Sequence, residues 1–339
     1  MMTNIEWTHI PGYLPETWNP TAGCTKKSEG CKECYAIPQA WIRMHNPKLK
    51  EKYTDTVEKL ANGKLNWTGK INIYEPHMEL PLKWKKPRAI FVDSMSDIFH
   101  ENLYKNGILG LEFLDKLIEI IYNCPQHIFI ILTKRIDITD VVLPRILKSY
   151  RYPENIWLGV SVENQKAADE RIPVLLRMPV RVKLLSCEPL LAFVNLNKYL
   201  LEGKIWNTIP IKDRTKWLDL IDWVIVGGES GKHARPMHPK WALSIRDQCA
   251  EANVPFFFKQ WGSWMPLMSY AKCITNDKSC ISIDIDGNIV DSLDKLKNDS
   301  YAFMKKSKKE AGRMLDGKEY NEFPHLHESY GGQVEIVSS

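Results

Sequence analysis

Residues 127–135 read His-Ile-Phe-Ile-Ile-Leu-Thr-Lys-Arg, an apolar run that ends in three polar residues. Five further apolar runs recur along the chain, each ending in polar or ionisable residues: 88–92, 155–160, 181–185, 223–226 and 255–258. Stretches with apolar residues at helical spacing alternate with them, at 109–122, 139–147, 165–177 and 239–252. Strands that are apolar throughout are typical of a parallel sheet covered on both faces. The sequence therefore predicts an α/β fold built from repeated strand–helix units.

These six strands, with an earlier one before residue 20, predict a partial (β/α)6-7 barrel of the TIM-like kind. A closed eight-stranded barrel would need more strands than are visible, and an open parallel sheet is the other alternative. We assign the barrel to residues 1–265, with Ile5-Glu6-Trp7 as a short first strand and residues 35–62 as largely helical. Residues 266–339 are expected to form a C-terminal extension with a β-hairpin at 281–290 and a polar helix at 307–313.

The overall composition limits the class of protein. The 339 residues are 44% hydrophobic and 26% charged, as in a globular chain. A net charge of +5 permits an anionic partner such as a nucleotide or nucleic acid, but a lysine-rich surface would give the same balance. The first seven residues lack the apolar core of a signal peptide, and no segment has the apolar length of a membrane span. We therefore expect a cytoplasmic protein that does not enter the membrane.

Three of the eight cysteines, Cys24, Cys31 and Cys34, fall within eleven residues of one loop, residues 18–35, called here the cysteine loop. In a reducing compartment such a cluster indicates metal binding in preference to disulfides. Three thiolates can hold three irons of a [4Fe-4S] cluster and leave the fourth iron open for a ligand. A structural zinc ion takes four protein ligands, so a zinc site here would have to be completed from a distant part of the chain.

The remaining cysteines carry weaker signals. Cys124, Cys187 and Cys249 lie in or beside apolar segments, and we expect them to be buried. Cys273 and Cys280 are separated by six residues, and the sequence offers no further ligand that would make them a second metal site.

Three clustered cysteines followed by βα units resemble the radical S-adenosylmethionine (SAM) superfamily. The closer resemblance is to a three-cysteine-motif family of unknown function from phage and bacterial genomes. It covers about residues 5–265, and the matching segments are Trp18-Asn19-Pro20, the three cysteines, 131–135, 158–163, 185–189, 226–231, 235–239 and 257–262. The strand ends are also similar to those of the spore photoproduct lyase group, which acts on thymine in DNA.

The resemblance implies an enzyme with two cofactors, a [4Fe-4S] cluster on Cys24, Cys31 and Cys34, and SAM on the open iron. One electron from the cluster would cleave SAM to a 5′-deoxyadenosyl radical that abstracts hydrogen from the substrate. The implied partners are an electron donor such as flavodoxin or ferredoxin and a substrate that is a nucleobase, a nucleotide or DNA. A rearrangement of a modified thymidine in phage DNA modification is one such reaction.

The resemblance also implies SAM-binding residues at the strand ends. Ser94, Ser96 and Asp97 follow the second barrel strand, where the superfamily places acceptors for the SAM amine. Other positions are expected to bind the remaining parts of SAM or to line the mouth: Lys134 with Arg135 for the carboxylate, Ser161 and Glu163 for the ribose, Glu188, and Gly228 with Glu229. We expect Gly228 to let the backbone approach the ligand closely. Arg235, His238, Lys259, Gln260, Trp261 and Trp264 lie near the same strand ends.

The cysteine spacing departs from the superfamily, which has three residues between the first two cysteines and two between the last two. Here six residues separate Cys24 from Cys31, and two separate Cys31 from Cys34. The run Thr-Lys-Lys-Ser-Glu-Gly at 25–30 takes up the difference as a longer and flexible loop. Two alternatives stay open: a radical SAM enzyme acting on a peptide or small molecule, and a zinc-stabilised nucleic-acid-binding protein without catalysis.

Overall fold

The computed structural model describes residues 3–105, 108–147, 154–200, 220–267, 279–291 and 297–324. Its strands, in chain order, are β1 (Leu14–Trp18), β2 (Thr21–Ala22), β3 (Val57–Lys59), β4 (Leu65–Trp67), β5 (Asn72–Ile73), β6 (Arg88–Val92), β7 (Ile128–Thr133), β8 (Ile156–Ser161), β9 (Val182–Cys187), β10 (Trp223–Gly227), β11 (Phe256–Gln260), β12 (Trp264–Leu267), β13 (Cys280–Ile283) and β14 (Tyr301–Lys305). The helices are α1 (Ala36–Met44), α2 (Lys50–Tyr53), α3 (Glu101–Tyr104), α4 (Ile108–Tyr122), α5 (Ile136–Leu147), α6 (Gln165–Arg177), α7 (Asn197–Leu200), α8 (Pro239–Ala252) and α9 (Lys308–Ala311).

Seven parallel strands form the main sheet, in the order β1-β6-β7-β8-β9-β10-β11. The order follows the chain, and the sheet curls into a half-barrel. Sequential parallel pairing places all seven carboxyl ends at one rim, as in barrels of βα units. The predicted α/β class, the partial barrel and the seven strands are therefore confirmed.

The outer face of the sheet packs against the helices. Alternate strand residues such as Ile90, Phe129 and Leu158 join the apolar faces of the helices in the largest core cluster. Capping side chains and residues in the left-handed conformation mark where helices begin and end. The Asn164 side chain caps α6 by accepting from Ala167 N at 2.9 Å, and Asn253 ends α8 in the left-handed conformation with φ of 57°.

The inner face of the half-barrel is filled by aromatic residues. Trp7 is 1% exposed and lies with Trp157, Trp223 and Phe257 in a second core cluster. The rings of Trp7 and Phe91 meet edge to face at 4.9 Å. The prediction of a strand at residues 5–7 is wrong, because this segment forms a 3₁₀ turn, Glu6–Thr8, that fills the barrel interior, and β1 begins only at Leu14.

The segment after the cysteine loop is less helical than expected. Helices occupy only Ala36–Met44 and Lys50–Tyr53, and a short antiparallel hairpin of β3 and β4 follows. Buried residues of this segment, including Tyr53 and Trp67, pack with Ala36 and Met95 in a third cluster beside the cysteine loop. The helical prediction for 35–62 is therefore wrong beyond Tyr53. Lysine and asparagine are compatible with both a solvent-exposed helix and an exposed hairpin, so the composition of this segment does not distinguish the two.

The C-terminal residues form a separate antiparallel sheet in the order β12-β14-β13. The expected hairpin near Asp286-Gly287 is present in short form, with a single bridge between Ile283 and Ile289. The polar helix is α9, capped by reciprocal hydrogen bonds between Ser307 and Glu310. Residues 331–339 and Cys273 lie outside the described residues. Among the residues that the structure describes, no helix is long and apolar enough to cross a membrane.

Candidate functional site

A cavity of about 460 Å³ opens at the carboxyl ends of the barrel strands. All three clustered cysteines line it, as do nine of the ten residues expected to bind SAM or to line the mouth: Ser94, Ser96, Asp97, Lys134, Arg135, Ser161, Glu188, Gly228 and Glu229. The tenth, Glu163, is not among the lining residues. A volume of this size is in the range of pockets that bind cofactors and small ligands.

The cysteine loop begins directly after β1, the first strand of the half-barrel. Its three thiols are half-buried and free of disulfides. Burial raises the pKa of Cys24 to about 12, against the lowering effect of the nearby Arg135 charge, and burial also raises the pKa of Cys34. The thiols of Cys24 and Cys34 are therefore protonated in the metal-free protein at neutral pH, and a metal that binds them must displace their protons.

Arg135 fixes the start of the loop to the end of β7. It is 1% exposed, and its Nη2 donates to the Thr25 carbonyl at 3.0 Å and to Thr25 Oγ1 at 2.7 Å. The guanidinium also forms an ion pair with Asp97 at 3.3 Å. Asp97 accepts from Thr133 Oγ1 and the Lys134 backbone as well. Both of its oxygens are thus occupied within the protein, which does not favour the expected role of Asp97 as an acceptor for the SAM amine.

Glu163 supports the middle of the loop from the end of β8. Its carboxylate is 1% exposed and pairs with Arg171 of α6 at 2.8 Å. Burial would raise the pKa of Glu163, but Arg171 and a hydrogen bond from Ser28 outweigh it and lower the pKa. Gly30 packs against the same side chain, since an added Cβ would lie 3.3 Å from Glu163 Cδ. These contacts place Glu163 behind the loop and do not favour the expected ribose contact.

Arg235 fixes the end of the loop to the β10 rim. It donates to Glu229 from Nη2 at 2.6 Å and from Nε at 2.9 Å, and from Nη2 to the carbonyl of Glu29 at 2.9 Å. Residues 25–30 are therefore held by side chains from the ends of three different strands: β7, β8 and β10. The six-residue spacing, expected to be a flexible loop, is instead a segment anchored to these strand ends, with Lys26 and Lys27 exposed.

The loop after β6 joins the cysteine loop from the other side. Ser94 Oγ donates to Asn19 Oδ1 at 3.0 Å, and Ser96 Oγ donates to the Gly23 carbonyl at 2.7 Å. Asp93 is buried with a positive φ of 53° and accepts from Thr21. Burial raises its pKa to about 7, against the hydrogen bonds from Thr21 and the charge of Lys52. The serine hydroxyls keep acceptor lone pairs for a ligand, because each uses only its proton here.

Two lysines lie at the cavity, Lys134 directly after β7 and Lys259 in β11, the last strand of the sheet. Lys134 Nζ donates to Ser161 Oγ at 2.9 Å, and Lys259 Nζ pairs with Glu188 at 2.9 Å. Both lysines are among the residues that line the cavity. The cavity therefore offers cations at two separate strand ends.

Gly228 makes a close approach, but to protein and not to a ligand. A Cβ on Gly228 would lie 2.1 Å from the carbonyl oxygen of Trp261. Gly262, with φ of 83°, would clash in the same way with Glu229. Gly228 and Gly262 thus let the loops after β10 and β11 pack backbone to backbone.

Several other residues near the strand ends have structural roles. His238 caps α8 and contacts the Asp299 carbonyl at 2.8 Å. Trp261 and Trp264 are buried and donate to the carbonyls of Met314 and Ala234, so neither offers a free face for stacking on a base. The three isolated cysteines expected to be buried are so: Cys124, Cys187 and Cys249.

Sequence reasoning missed the wall of the cavity formed by the N-terminal turn and α9. Glu6 and Trp7 line the cavity together with Lys308. Lys308 Nζ lies 2.6 Å from Glu6 Oε1. Glu6 Oε2 and Trp7 Nε1 are buried and have no hydrogen-bond partner among the described residues. A single charged or aromatic residue near the N-terminus produces no periodic pattern in the sequence. The presence of Glu6 and Trp7 at the site therefore becomes visible only in the fold.

The donor set fits an iron–sulfur cluster in its chemistry. Three free thiols share one cavity wall, and Arg135 Nη1 lies 3.7 Å from Cys24 Sγ, which suits a thiolate. Within the described part of the chain, no three His, Cys, Asp or Glu side chains are grouped closely enough to hold a single metal ion.

Comparison with known proteins gives one family. The family model described as "Protein of unknown function (DUF5131)" matches residues 2–324. Searches of curated proteins and of solved structures found no match.

The ion pair behind the loop can be tested by its effect on stability. Glu163→Ala leaves the buried Arg171 without a counterion, and we expect it to lower the free energy of unfolding by about 3–5 kcal/mol. Asp140→Ala removes an exposed partner of Arg177 and is the matched control, with an expected loss below about 1 kcal/mol. Denaturant unfolding measures both. Equal losses in the two variants would contradict the role assigned to Glu163.

Proposed function

This chain belongs to the DUF5131 family, and from the geometry of its cavity we propose that it is a radical SAM enzyme. One observation carries the proposal. A loop with three free cysteines follows the first strand of a parallel half-barrel, and its thiols share a cavity with the carboxyl ends of the later strands. Such a rim is where barrels of βα units bind their ligands.

Under this proposal Cys24, Cys31 and Cys34 hold three irons of a [4Fe-4S] cluster, and SAM occupies the adjoining cavity. When it is bound and has received one electron from a flavodoxin- or ferredoxin-like donor, the cluster supplies the electron that cleaves SAM to methionine and a 5′-deoxyadenosyl radical, which takes a hydrogen atom from the substrate. The half-barrel would then be of the radical SAM type.

The protein's own residues would bind and orient SAM. Lys134 is a cation at the cavity wall and can donate to the SAM carboxylate. Ser94 and Ser96 keep oxygen lone pairs that can accept from the amine. Ser161 and Glu188 offer acceptors to the ribose hydroxyls. The packed cysteine loop covers the mouth and excludes water from the reacting atoms.

The other wall of the cavity favours an uncharged ring as the substrate. Phe91, Leu132 and Trp7 give it an apolar surface. Two of the three lysines that line the cavity are each paired with a glutamate, Lys259 with Glu188 and Lys308 with Glu6. Paired charges offer donors and acceptors without a net charge, which suits a nucleobase better than a bare phosphate. We therefore propose a nucleobase, free or within a nucleotide or DNA, as the substrate class.

The cofactor proposal is tested by anaerobic purification. We expect brown protein with about four irons per chain, a broad absorbance in the blue that bleaches with dithionite, and release of 5′-deoxyadenosine when SAM is added. Cys31→Ala should lose both the colour and the cleavage. Cys280→Ser, which changes a half-buried cysteine outside the loop, is the matched control and should keep both. A colourless protein with one zinc per chain would contradict the proposal and favour the zinc-stabilised binding protein.

The substrate class is tested by equilibrium binding of thymidine in the presence of SAM. Trp7→Phe keeps an aromatic ring but removes the unpartnered N–H, and we expect thymidine affinity to fall about two- to tenfold with SAM affinity unchanged. Trp41→Phe, on α1 and outside the cavity wall, is the control. If none of the common nucleosides binds and short peptides do, the peptide alternative is favoured instead.

A further inference from the structure

Arg135 uses every hydrogen-bond donor that a guanidinium has. The five N–H groups of arginine lie in a fixed planar fork. Five contacts are present: Nε to Glu101 at 2.7 Å, Nη1 to Asp97 at 3.3 Å and to Cys24 Sγ at 3.7 Å, and Nη2 to the Thr25 carbonyl at 3.0 Å and to Thr25 Oγ1 at 2.7 Å. No donor is left for a bound ligand, so Arg135 is not available to the SAM carboxylate.

The surroundings of Arg135 hold its charge in place. The side chain is 2% exposed and lies between Asp97, 8% exposed, and Glu101, 35% exposed. Burial lowers the pKa of Arg135, but the charge of Asp97 and the hydrogen bond and charge of Glu101 outweigh it and raise the pKa, so Arg135 is a permanent cation. Burial would raise the pKa of Glu101, but hydrogen bonds from its own backbone and from Arg135, together with the Arg135 charge, lower the pKa to about 2. A fixed cation therefore stands beside one sulfur of the cysteine loop.

We propose that Arg135 is a positioning residue for the cluster: it orients the Cys24 sulfur and raises the reduction potential of the iron–sulfur cluster. This inference rests on the proposed function, because it requires a cluster on the three cysteines. Its two parts come from the same contacts. The bonds to Thr25 fix the backbone next to Cys24, and the Nη1 group donates to the sulfur itself.

Electrostatics determines the direction in which Arg135 shifts the reduction potential of the cluster. Reduction adds one electron to the cluster, and a nearby cation stabilises the more negative, reduced form. Hydrogen bonds to cluster sulfurs act in the same direction. Loss of the guanidinium should therefore lower the potential and make the cluster harder to reduce. The shift is expected to be on the order of tenfold in the ratio of reduced to oxidised cluster at a fixed potential, or about 59 mV for a one-electron step.

The experiment is a redox titration of anaerobically reconstituted protein, followed by the EPR signal of the reduced cluster. Arg135→Gln should load iron and show the lower potential. Arg135→Lys keeps the charge but not the fork, and its potential should lie between those of Arg135→Gln and the wild type. Arg235→Gln is the control, since it detaches Glu29 of the same loop but touches no cysteine sulfur in the described contacts.

Three results would overturn the inference. The first is a wild-type potential in Arg135→Gln. The second is an equal shift in Arg235→Gln, which would mean that any loosening of the loop has the same effect. The third is loss of iron from both Arg135 variants with the fold retained, because the guanidinium would then be required for assembly and would not tune a cluster that the cysteines hold themselves. A wild-type protein without iron would instead contradict the proposed function.

Discussion

Buried charges at the strand ends hold the cysteine loop across the mouth of the half-barrel. Arg135 at β7, Glu163 at β8 and Glu229 at β10 are each 5% exposed or less, and a buried charge without a partner is costly. Arg135 pairs with Asp97 and Glu101 and donates to Thr25 of the loop. Glu163 pairs with Arg171 and accepts from Ser28. Glu229 pairs with Arg235, which also contacts Glu29 of the loop. The position of the three thiols therefore depends on the strand ends, and the barrel and the site form one structure.

Much of the fold could be predicted from the sequence because its signals are local. The six apolar runs after residue 88 and the helices between them were placed to within a few residues, since an apolar parallel strand and an amphipathic helix differ in period. The N-terminal turn could not be predicted in this way. Ile5-Glu6-Trp7 has the composition of a strand, and only the empty interior of the half-barrel requires Trp7 there.

The sequence predicted the location of the site, but it predicted the roles of the site residues only in part. Strand-end residues converge on a cavity because parallel strands share one rim, so Lys134, Ser161 and Glu188 lie together. Their partners are set by distant segments. Arg171 occupies an apolar helical face, with Ala167, Ala168, Ile172 and Leu175, and that pattern was the one available sign of a buried partner for Glu163. The six residues between Cys24 and Cys31 gave no sign of being anchored, because the contacts that hold them to the strand ends are long-range.

The proposal of an open cluster site beside a SAM cavity stands on three thiols and a rim of polar strand ends. EPR spectroscopy of the dithionite-reduced protein, recorded before and after addition of SAM, tests both the presence of the cluster and the binding of SAM beside it. We expect the signal of a reduced [4Fe-4S] cluster whose shape changes when SAM binds the open iron. A cluster signal that SAM leaves unchanged, or reduced protein with no paramagnetic signal at all, would contradict it.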